Sequence, residues 1–169
     1  MPMTDDPAAH AAAIEAHVRA YVSGYCGALF RYVTQGVAID YDALGYWRFP
    51  FLMIGGEGHA CSVTIFGEAD FDAMVKPGYE AYYRDGWDGR VEVHSVEVTL
   101  AGPVIGFART TGSRYRADGS VNSTWDCLYM LRRTSAGWKH IGVDAALPPR
   151  STSDWGDWLV FVAMDGQQE

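Results

Sequence analysis

The chain has 169 residues, of which 49% are hydrophobic, 14% aromatic and 20% charged, and its formal net charge is -8 at pH 7. That length and apolar content describe one domain with a real core, and the aromatic excess needs a large core, a cavity or a subunit interface to hold it. The acidic balance and the lack of a basic face argue against nucleic acid and against anionic membrane surfaces as partners.

The first predicted element is a long helix. Asp6 followed by Pro7 supplies an N-cap acid and a proline at the first helical position. Ile14, Val18, Tyr21, Tyr25, Ala28 and Tyr32 then recur at alternating spacings of four and three, one stripe on a helix that Gly36 stops. A short helix is expected over Asp40 to Tyr46. Beyond Pro50, Phe51–Ile54 and Ala60–Phe66 flank Gly55, Gly56, Glu57 and Gly58 and read as a hairpin. Glu68 to Arg84 carries Phe71, Met74, Val75, Tyr79 and Tyr82 at helical spacing, with Pro77 expected to kink or break it. From Arg90 the period changes to that of strands. Arg90–Leu100, Val104–Arg116, Val121–Thr134 and Trp138–Ala145 are separated by Gly102-Pro103, Asp118-Gly119 and Ala136-Gly137, which predicts a four-stranded antiparallel meander.

The third of these strands is apolar on both faces. Trp125, Cys127, Tyr129 and Leu131 point one way, Leu128 and Met130 the other, so the sheet must be covered twice. Helices cover one face. A second copy of the chain covers the other, which predicts a homodimer. The alternative cover is the tail, where Ser153 to Met164 includes Trp155, Trp158 and Phe161. The expected organisation is one domain over residues 8–147 and an extension over 148–169 that packs on the domain or on the dimer partner. Cys26, Cys61 and Cys127 are far apart, odd in number and without a CxxC pair. They read as small buried hydrophobes in a reducing compartment rather than a zinc site or disulfide framework. Met1 to Asp6 is acidic and does not read as a secretory signal, so a cytoplasmic protein is expected.

Long helix, short helix, hairpin, helix and meander, ending in Gly137–Asp144 (GWKHIGVD), is an order that resembles the nuclear transport factor 2-like superfamily over about Ala8 to Leu147. The resemblance implies a cone-shaped α+β fold, with N-terminal helices packed on a curved antiparallel sheet around a pocket. The superfamily includes ketosteroid isomerase-like proteins, SnoaL-like polyketide cyclases, dehydratases and binding or assembly domains, so the fold does not fix an activity. Arg19-Ala20-Tyr21-Val22 resembles the segment where the isomerases place an oxyanion-hole tyrosine. Trp125-Asp126-Cys127-Leu128 resembles the strand that carries its partner acid, a protonated carboxyl that donates to a developing enolate. Where the isomerases carry a base before a proline, this chain has Phe49 before Pro50, and phenylalanine accepts no proton.

The candidate catalytic residues are therefore Asp126, Tyr21, His140 and Asp144. Apolar neighbours would raise Asp126 above the usual value of about 3.9, whereas an arginine on the neighbouring strand, Arg109 or Arg114, would pair with it instead. His140 and Asp144 share the Trp138 face of the last strand in simple alternation, about 13 Å apart. Tyr25, Phe51, Trp125 and Trp138 are the candidate pocket lining. No metal-ligand spacing, nucleophile motif or phosphate loop appears, and no cofactor is expected. Three roles follow: a dimeric module binding a small apolar or aromatic ligand, a proton-transfer enzyme acting on a carbonyl compound, or a dimerisation domain whose cavity is filled by its own side chains. An open cavity with Asp126 paired to arginine favours the first, and an unpaired Asp126 beside Tyr21 or His140 favours the second.

Overall fold

The computed structural model describes residues 6–55 and 61–145. Its first element, α1 (Pro7–Gln35), begins where Asp6 accepts a hydrogen bond from the Ala8 N–H at 2.9 Å and ends at Gly36, left-handed at φ 69°. The buried stripe runs through Ile14, Val18, Tyr21, Val22, Tyr25 and Leu29. Each fully buried aliphatic side chain on such a stripe contributes about 1.5–3 kcal/mol of transfer free energy. The short helix α2 (Tyr41–Leu44) is capped by the Asp40 carboxylate and closed one turn later by Gly45, φ 62°, earlier than the expected Tyr46.

The strands are β1 (Trp47–Gly55), β2 (Cys61–Ile65), β3 (Trp87–Leu100), β4 (Ile105–Arg116), β5 (Val121–Thr134) and β6 (Gly137–Asp144), with α3 (Glu68–Arg84) between β2 and β3. They form one open sheet of six strands in the order β2-β1-β6-β5-β4-β3. The expected meander is β3 to β6. The expected hairpin is β1 and β2; β1 also pairs with β6 in parallel, so the sheet is mixed rather than antiparallel throughout. β1 also starts at Trp47 rather than Phe51, and its register to β6 shifts between Trp47 and Leu52, around the donor-less Pro50. Pro77 does not divide α3. Phe71, Met74, Val75 and Tyr79 are buried on both sides of it, and that packing outweighs the one backbone bond a proline removes.

Helices α1 and α3 cover one face of the sheet, and the core lies beneath them. On that inner face β4 presents Gly106, Ala108, Thr110, Gly112 and Arg114 opposite Leu131, Tyr129, Cys127, Trp125 and Ser123 of β5. The outer face carries Thr111 opposite Asp126, Arg109 opposite Leu128 and Phe107 opposite Met130. No helix covers these residues among those described, and Leu128 is 37% exposed. The expected extension over 148–169, with its tryptophans, lies outside the described residues. Among the described residues no helix is long and apolar enough to cross a membrane.

Gly112 fixes how the inner face is packed. A Cβ there would stand 2.1 Å from the Trp125 ring and 2.4 Å from the Glu92 carbonyl oxygen on β3. The ring could turn aside, but the carbonyl belongs to the β3–β4 ladder. Gly112→Ala should therefore lower stability by about 1–3 kcal/mol, the usual range for overpacking, and urea unfolding of the two proteins checks it.

Candidate functional site

A cavity of about 90 Å³ opens between α1, α3 and the inner face of the sheet. Tyr21 and Tyr25 enter it from α1, one turn apart and stacked with ring centres 5.5 Å apart. Phe51 comes from β1, Phe71 and Tyr79 from α3, and Trp125, Cys127 and Tyr129 from the inward positions of β5. Edge-to-face contacts tie the rings together, Tyr21 to Tyr129 at 5.4 Å and Phe51 to Phe71 at 5.5 Å. Burial pushes the hydroxyls of Tyr21, Tyr25 and Tyr129 well above the ordinary tyrosine value, so all three stay protonated. Burial likewise pushes the Cys127 thiol up to about 12 and raises Cys26, which makes both poor nucleophiles.

One wall of this apolar space is charged. Arg114 points inward from β4 and is only 8% exposed. Its Nη2 donates to the Tyr79 hydroxyl at 3.1 Å and its Nη1 to Ser123 Oγ at 3.4 Å. The guanidinium carbon lies 4.4 Å from the Tyr82 ring centre, 4.9 Å from Trp125 and 5.2 Å from Tyr79. Among the described residues its Nε finds no acceptor, and neither does Trp125 Nε1. No Asp or Glu among the described residues forms an ion pair with Arg114. Each cation–π contact returns about 0.5–2 kcal/mol, against a penalty of several kcal/mol for taking an ion out of water.

The expected catalytic residues are not assembled here. Asp126 lies on the outer face, where Arg109 on β4 grips it through two hydrogen bonds of 2.7 and 3.0 Å. Those bonds hold its carboxyl below the usual aspartate value, whereas apolar neighbours alone would have raised it. Its partner is Arg109, not the inward-facing Arg114 and not Tyr21. Asp144 is separated from His140 by a bulge. Leu131 pairs with His140 but the next residue, Met130, pairs with Gly142, so Ile141 is extra. His140 consequently faces the core, and Asp144 joins Leu128 and Ile54 on the outer face. Of the expected lining, Tyr25, Phe51 and Trp125 reach the cavity. Trp138 instead borders a shallower cleft of about 340 Å³ with His17, Tyr46 and Lys139. Arg114 went unrecognised as a cavity residue in the sequence, although it falls in phase with the inward Ala108, Thr110 and Gly112.

His140 has a different role. It is fully buried under Tyr21, ring centres 4.2 Å apart, and its Nδ1 meets His17 Nε2 at 3.2 Å. Burial, reinforced by Lys139, lowers His17 to about 4. Burial and then His17 lower His140 well below its ordinary value. Both rings are neutral at pH 7, one donating to the other. Among the described residues no group of three His, Cys, Asp or Glu side chains could hold a metal ion.

A family profile described as NTF2-like protein (DUF6841) matches residues 14–147. No curated protein matches. Solved structures share the fold at low identity. A ketosteroid isomerase-like protein from Erwinia carotovora atroseptica is 16% identical, TM-score 0.51, covering 82% of this chain and 95% of its own. A protein of unknown function from the DUF3225 family of Pectobacterium atrosepticum is 14% identical, TM-score 0.50, covering 86% of this chain and 98% of its own. The CaMKII hub of S. rosetta is 15% identical, TM-score 0.53, covering 88% of this chain and 100% of its own.

The histidine pair makes stability depend on pH. Below the ordinary value of 6.5 the unfolded chain takes up protons at positions 17 and 140 that the folded chain refuses. Stability should therefore be fully present above pH 6.5 and fall as pH drops, by up to about 1.4 kcal/mol per pH unit for each histidine. The His17 contribution levels off near pH 4, where the folded ring protonates. Urea unfolding between pH 7 and 4.5 should show a shallower slope in His17→Gln than in the unaltered chain.

Proposed function

We propose a binding role for this chain, which belongs to the NTF2-like family DUF6841: it takes a small apolar or aromatic ligand in the cavity between α1, α3 and the sheet, and does so as a cytoplasmic homodimer. The observation that carries the reading is an aromatic-lined cavity in which Trp125 Nε1 and Arg114 Nε are buried without partners among the described residues. Native interiors satisfy such groups, so polar atoms left over around a cavity mark a place for a ligand. The free, buried Cys26 and Cys127 fit a reducing compartment.

Proton transfer on a carbonyl compound has less support. Tyr21 could donate to a developing oxyanion, but no carboxylate among the described residues lines the cavity, Asp126 is paired outside it, and Phe49 stands where a base would. Pure dimerisation needs no leftover space, and a 90 Å³ cavity is leftover space. The dimer itself is supported by the outer face, where Phe107, Leu128, Met130, Leu52 and Ile54 lie in adjoining cross-strand positions.

Two measurements test this. Single-ring ligands should raise the melting temperature of the unaltered chain and quench its tryptophan fluorescence. Cys127→Leu, which fills the cavity from β5, should weaken their binding about tenfold or more, the scale of a steric conflict of 1–3 kcal/mol. A panel of single-ring compounds without any melting shift would sink the binding reading. Light scattering should give twice the mass of one chain, and Met130→Glu, a charge placed opposite Phe107 on that face, should give the mass of one.

A further inference from the structure

The cavity is lopsided in its hydrogen-bonding chemistry. Its unsatisfied groups include Arg114 Nε–H and Trp125 Nε1–H, both of which can only donate. Tyr79, which lines the same space, already receives a bond from Arg114. The aromatic rings offer only their faces. Arginine keeps its proton in proteins, so the guanidinium remains a cation in a water-poor space with no carboxylate beside it among the described residues. A neutral ligand would leave that charge unbalanced. A polyanion such as a phosphate dianion would replace a surplus positive charge with a surplus negative one. A monoanion balances it, and a planar carboxylate matches the fork of N–H groups.

We propose that Arg114 is the anion-recognition residue of the cavity and that its ligand is a small apolar carboxylate, with the carboxylate on the Arg114 guanidinium and the apolar body against Tyr25, Phe71 and Trp125. The inference rests on the binding reading of this cavity and names the chemical class that the reading left open. Size narrows the class. A cavity of about 150 Å³ holds benzene, and this one measures about 90 Å³. Only the smallest acids fit it as it stands; pentanoate, with more heavy atoms than benzene, and a single-ring acid fit once the half-buried Tyr82 at its edge turns outward.

The test is calorimetric titration of the full chain at pH 7.5 with pentanoate and benzoate, each against its neutral amide, pentanamide and benzamide. Amide and acid have nearly the same shape, so the difference reads charge alone. The acids should bind at least tenfold tighter than the amides. Arg114→Met should bring acid and amide within about twofold while amide binding persists, and Cys127→Leu should weaken both. If Arg114→Met does not fold, Arg114→Lys, which keeps the charge but loses the fork, should retain a reduced acid preference, and the comparison in the unaltered chain stands without any variant. Equal binding of acid and amide to the unaltered chain overturns the carboxylate assignment and leaves the binding reading intact. An acid preference that survives Arg114→Met places the anion on another arginine and also overturns the assignment. No binding of any of the four compounds overturns the binding reading and this inference together.

Discussion

The packing of this protein turns on the size of the side chains along one face of β4. Gly106, Ala108, Thr110 and Gly112 are the inward residues, and large neighbours occupy the space they leave. A Cβ on Gly106 would stand 2.4 Å from Ile14 of α1, and one on Gly112 would overlap the Trp125 ring. The helix and the indole therefore seat directly on backbone. At the next inward position the rule reverses and β4 presents Arg114, a long cation. The cavity lies over this stretch, lined by α1, α3 and the β5 residues opposite Ala108, Thr110 and Gly112, with the guanidinium along its wall.

Charge is sorted by face as sharply as size. The sequence carries more acids than bases, yet no acid among the described residues lines the cavity. Asp126, flanked in sequence by two cavity-lining residues, is turned outward to Arg109. Inside are phenols, thiols, an indole and a guanidinium, all proton-bearing at pH 7 because burial raises the tyrosine and cysteine values. Such a lining can donate hydrogen bonds and balance a negative charge. Among the described residues that line it none is suited to take a proton, and His140 is packed beneath Tyr21 and engaged with His17.

Much of the fold was legible because it depends on local signals. Asp6-Pro7 and Gly36 bound α1, the apolar spacing gives its buried face, and the glycine turns separate the strands of the meander. The places where expectation and structure part share a cause. Pro77 was expected to interrupt α3, but burial on both sides of it outweighs a local preference. The sheet was expected to be antiparallel, but β1 finds a second, parallel partner in β6, some 90 residues later in the chain. A parallel pairing of that kind leaves no turn signal between its strands.

By itself the sequence determined the helices, the meander, the two apolar faces of β5 and the absence of the isomerase base at Phe49, because composition, period and turn residues act over a few neighbours. Only the tertiary structure decided which face each charged residue serves. One extra residue at Ile141 turns Asp144 away from His140, and the inward phase of β4 buries Arg114 while its neighbour in the same alternation, Arg109, goes outward to hold Asp126. A strand's alternation fixes two sets of residues but not which set faces the helices. That choice is made when the layers close, by the bulges that shift phase and by the packing that decides which set is buried.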